Sequence, residues 1–92
     1  MHEATFLRAL LRRIDEIAAT EHATRVTAVT VRLGALSQMS PEHFREHWVD
    51  AAAGSIAQDA VLTTEQSSDP TDPRALDVTL VSIDVEDPEP AA

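Results

Sequence analysis

With 92 residues, no cysteine and a formal charge of −9, the chain is sized for one small domain, and disulfides, thiolate metal sites and iron–sulfur clusters are excluded. Sixteen acidic residues against seven basic ones argue against a nucleic-acid surface, which needs a basic patch. The start has no basic-then-apolar leader pattern and no apolar run approaches a membrane span, so a cytoplasmic protein is the expectation.

Residues 4–20 carry Phe6, Leu7, Leu10, Leu11, Ile14, Ile17 and Ala18 at three- and four-residue spacing, which predicts an amphipathic helix. Residues 25–33 are rich in β-branched side chains and predict a strand, with Thr27, Val29, Val31 and Leu33 on one face and Arg32 on the other. Gly34 then ends the strand, with a positive φ as the expected reason. Ser40-Pro41 is a helix start, capping residue followed by a proline suited to the first turn. That helix is expected to run to about Ala53, with Gly54 as its stop and Phe44, Trp48, Ala51 and Ala52 as its apolar face. Residues 60–66 predict a second strand, and 67–73 are a turn-rich linker. Leu76, Val78 and Leu80 alternate in one phase, and Val81, Ile83 and Val85 in the other; a single strand bulged near Leu80 reconciles them. The acidic, proline-rich end, 87–92, is expected to be disordered.

The order α-β-α-β-β predicts an α+β fold, a small three-stranded sheet with two helices packed on one face. The other sheet face is then either polar or a docking surface. If the two phases of the last strand leave apolar residues on both faces, that face, or a free sheet edge, invites a homodimer or another partner.

Three candidate sites stand out. The first is Met1-His2-Glu3. The Met1 α-amine, the His2 amide nitrogen and the His2 imidazole can close on one ion through five- and six-membered rings, and the Glu3 amide nitrogen or a carboxylate oxygen can add a fourth donor. Such a nitrogen-rich, planar set suits Ni(II) or Cu(II). The bland reading is a plain helix start, with Glu3 favourable near its positive end. The second is His43-Phe44-Arg45-Glu46-His47, an H-x-x-E-H pattern whose histidines lie one helical turn apart. A hydrolase built on it needs a third ligand and a cleft that so short a chain can hardly provide; a solvated helix flank or an adventitious metal site is the simpler reading. The third, His22, falls in a turn and is expected to be solvated.

The opening Met1-His2-Glu3, then Val29-Thr30-Val31-Arg32-Leu33-Gly34-Ala35-Leu36-Ser37, Ser40-Pro41-Glu42 and Gly54-Ser55-Ile56-Ala57 before Ala60-Val61-Leu62, resembles the HypA family over about residues 1–66. The resemblance implies a nickel metallochaperone of [NiFe]-hydrogenase and urease maturation, a carrier and not an enzyme. It implies Ni(II) held by Met1, His2 and Glu3, with the GTPase HypB and the hydrogenase large subunit as partners. Members of the family carry a zinc ribbon with two CxxC pairs between the second and third strands. This chain has no cysteine, so no structural zinc is expected, and 67–74 stands as a short linker within a single nickel-binding unit, 1–86. Two other readings are a degenerate HypA-like docking or scaffold protein without metal delivery, and a hydrolase using His43, Glu46 and His47.

Overall fold

The computed structural model describes residues 3–86, with side chains from Phe6 onward. The elements are α1 (Glu3–Thr20), β1 (Arg25–Leu33), α2 (Pro41–Ala52), β2 (Val61–Gln66) and β3 (Val78–Glu86). The strands form one mixed sheet of order β2-β1-β3, with β2 parallel and β3 antiparallel to the central β1. A parallel pair needs a crossover between its strands, and α2 supplies it. This is the expected α+β architecture, with α1 lying toward β3 and α2 toward β2 while the helices touch each other.

The core explains why both helices share a face. Leu7, Leu10, Ile14 and Ala18 of α1 meet Phe44, Trp48 and Ala52 of α2 over Val26, Val29, Val31 and Leu33 of β1 and Leu62 of β2. Among the described residues no polar or charged residue is buried with them. The opposite face is polar, its neighbouring pairs including Thr30 with Thr63 and Arg32 with Glu65. An exposed ion pair, Arg32 Nη2 to Glu65 Oε1 at 3.1 Å, ties β1 to β2 there.

Two bulges set which side chains reach the core. On β3, Thr30 pairs with Ser82 and Val31 with Leu80, so Val81 is the extra residue. Val78, Leu80, Ile83 and Val85 consequently all pack against the core, and Val81 stays exposed. The bulge thus turns inward most of the residues that made the open face a candidate docking surface, and Leu76 lies in the turn before β3. On β1, Val26 pairs with Val85 and Ala28 with Asp84, leaving Thr27 as the extra residue. Val26 is therefore buried where strict alternation assigned Thr27, whose hydroxyl donates to the Asp84 carbonyl at 3.2 Å.

Gly34 differs from expectation in its cause. The glycine with positive φ is Gly54, at 80°, just beyond α2. Gly34 is needed because the segment Ser67–Asp77 passes directly over it. Leu33 pairs with Gln66 on one side and Val78 on the other, so this segment must cross the end of β1. The Gly34 N–H donates to Asp77 O at 2.9 Å and Leu36 N–H to Ala75 O at 2.7 Å. A Cβ on Gly34 would collide with the Ala75 carbonyl and lie 2.7 Å from the Arg74 oxygen. Ala75 is buried by the same crossing.

Candidate metal centre

Of the predicted N-terminal ligands, Met1 and His2 lie outside the described residues, as does the side chain of Glu3 and the tail 87–92. What is described is where they lead. Glu3 opens α1, and the first four N–H groups of an α-helix have no carbonyl partner within it. One turn on, Phe6 meets Phe44 edge-on with centroids 6.4 Å apart, which fixes the first turns of α1 beside the start of α2.

That start is well built. Ser40 is extended, with φ −81° and ψ 155°, and its Oγ accepts the His43 N–H at 3.1 Å. Pro41 fills the first turn, where its missing N–H costs nothing. Phe44 and Trp48 are buried and stack with centroids 6.3 Å apart, so the turn carrying His43 and His47 is locked from beneath. Arg45 reaches across to donate to the Leu62 carbonyl of β2 at 3.1 Å.

The structure brings His43 and His47 together. Their Nε2 atoms are 3.1 Å apart and their ring centroids 4.5 Å apart, with His43 exposed and His47 partly so. Sequence spacing indicated a shared helix face; the side-chain rotamers that bring the two nitrogens to this separation carry no signal in the sequence. Glu46 is exposed, and among the described residues no group of three or more His, Cys, Asp or Glu is arranged to hold a metal ion. The third ligand that a zinc hydrolase requires is thus not found among them. His22 sits in the turn after α1 with φ 55°, exposed as expected. A cleft of about 220 Å³ beside Gly34 mixes Arg32 and Arg74 with Asp72 and Asp77, and so favours neither sign of ligand.

The family model for hydrogenase/urease nickel incorporation, the metallochaperone HypA, matches residues 1–71. The chain belongs to the HypA family. A HypA hydrogenase maturation factor of Rhodopseudomonas palustris (strain BisB5) is 40% identical over 60 residues, 65% of this chain and 53% of the relative. One of Archaeoglobus fulgidus is 37% identical over 62 residues, 67% of this chain and 56% of the relative. The chain thus spans about half the length of the curated HypA proteins it matches. The solution structure of the nickel metallochaperone HypA of Helicobacter pylori superposes with a TM-score of 0.80 at 17% identity, over 96% of this chain and all of that one. A second HypA solution structure gives 0.74 at 18% identity, over 92% and 96%. These two likenesses speak for the fold. Nickel incorporation is the business of the HypA family as a whole, and metallochaperones carry metal without transforming a substrate. Among the described residues no helix is long and apolar enough to cross a membrane.

Proposed function

We propose that the chain binds Ni(II) at its N-terminus and delivers it during maturation of [NiFe]-hydrogenase or a similar nickel enzyme. The ligands are the Met1 α-amine, the amide nitrogen and imidazole of His2, and the Glu3 amide nitrogen or a carboxylate oxygen. The observation that carries this reading is the HypA family match, which runs from residue 1 and takes in all three residues. The start of α1 adds support, since an amide without a helical carbonyl partner can be given to a metal at no loss of a backbone hydrogen bond. Ligands at a chain end can also leave the ion one at a time, which suits a carrier that must release its cargo.

The nickel-delivery GTPase HypB and the hydrogenase large subunit are the partners we propose for that transfer. We further propose that residues 1–86 act as one nickel-binding unit, with 67–74 as a short link where relatives carry the zinc ribbon. The site requires an unblocked amine at Met1. Equilibrium titration of the untagged protein with Ni(II) should show tight binding that is lost on N-acetylation or in His2→Ala. Binding should weaken toward acid, because protons compete for the amine, amide and imidazole nitrogens. A native protein that binds no nickel yet still engages a maturation partner would favour the docking reading instead.

A further inference from the structure

We propose that His43 and His47 form a second metal site, a two-imidazole chelate on α2 that takes Ni(II) in exchangeable fashion with water completing the shell. The two Nε2 atoms stand 3.1 Å apart, and with metal–nitrogen bonds of about 2.0–2.1 Å that separation subtends roughly 95–100° at a shared ion. This is close to the right angle between neighbouring ligands of a six-coordinate ion. An aqua ion therefore needs to shed only two adjacent waters to bind. Without metal, one ring donates its Nε2–H to the Nε2 lone pair of the other; to bind metal, the donor ring takes its other tautomer, the proton passing through solvent to its Nδ1, and both Nε2 lone pairs turn to the ion.

The pair is held ready. The buried, stacked Phe44 and Trp48 interleave with the histidines along the same turns of α2, and the Ser40 cap fixes the His43 amide. Imidazole is a good donor for nickel, copper and zinc. Two imidazoles from one helix turn fill only two positions of a six-coordinate ion, so an ion held by them stays exchangeable. Exposed Glu42 and Glu46 on the same helix, and the net charge of −9, draw divalent cations toward it. The Phe6–Phe44 contact sets the first turns of α1 beside this part of α2, so an ion held by the histidines is kept at raised local concentration near that end of the helix. The chelate itself stands independently of the N-terminal site; nickel as its natural ion rests on the proposed function.

The test is titration of three proteins with Ni(II) alone, followed by NMR of the imidazole signals. In His2→Ala, where the N-terminal chelate is broken, a six-coordinate and therefore paramagnetic ion should selectively broaden the His43 and His47 signals. In the double variant His2→Ala/His47→Gln this broadening and the associated bound equivalent should disappear, with circular dichroism unchanged to show the fold intact. Broadening that persists in the double variant, or a His2→Ala protein that binds no nickel, overturns the second site. The native protein separates this from the first proposal: if it binds no more nickel than His2→Ala, the N-terminal site fails while the histidine pair stands.

Discussion

Gly34 and Asp69 show how much a single residue depends on what lies far from it in sequence. Gly34→Ala forces a methyl group against the backbone carbonyls of Arg74 and Ala75, which cannot swing aside as a side chain tip can. Overpacking of this kind costs about 1–3 kcal/mol, so the urea midpoint should fall with little change in slope. An unchanged midpoint would mean that the crossing segment yields freely. At Asp69, the Thr71 hydroxyl at 2.6 Å and then the Thr71 N–H at 2.9 Å donate to the carboxylate and hold it below the usual carboxylate range. A carboxyl lowered in the folded state stabilises fully above its unfolded value and loses that contribution as pH falls through the folded one. Urea unfolding followed against pH should therefore show a small acid-side loss below about pH 4 that Asp69→Asn reduces. The sequence named Gly34 correctly as a strand end. It could not name the reason, because the carbonyls in question lie some forty residues downstream. The proposed N-terminal chelate can be argued from sequence for the opposite reason, since its donors are covalent neighbours, and Met1 and His2 lie outside the described residues.

The elements follow local pattern closely, and the exceptions are bulges. The first helix shows its buried face in its spacing, and the second shows its start in Ser40-Pro41. The β3 bulge was readable because the apolar phase changes at Val81. The β1 bulge was not, because Val26 and Thr27 are both β-branched and only pairing with β3 decides which one turns inward. Val81→Thr, at the exposed bulge, should change stability by no more than about 0.5 kcal/mol. Ile83→Asp places a charge against the core, and should lower the thermal midpoint sharply without a change in assembly state by light scattering. Phe44→Ala should cost about 3–5 kcal/mol in urea unfolding. It should also disturb the histidine pair, since Phe44 underlies that turn.

Taken whole, the molecule is expected to fold without metal. Its core is entirely apolar among the described residues, and no metal ligand contributes to it. Chelator-treated protein should melt cooperatively by circular dichroism, and adding Ni(II) should raise the midpoint only by mass action on the folded state. A chain that stays unfolded until metal is added would contradict this.

The way Ser67–Asp77 arches across the end of β1 has a consequence for chain architecture. The two points it joins, Gln66 and Val78, are both clamped to Leu33 and so held two strand spacings apart, about 10 Å. The sheet, not the loop, fixes their distance. Lengthening the arch therefore leaves strand register untouched and adds only closure entropy, about 0.6 kcal/mol for each doubling in length. A flexible Gly/Ser insert between Ser68 and Asp69, upstream of the Asp69–Thr71 turn and of the Ala75 contact, should be accommodated at that modest cost. Because the sheet holds both ends of the arch, chain added at that point should leave the pairing of β2 and β3 with β1 unchanged.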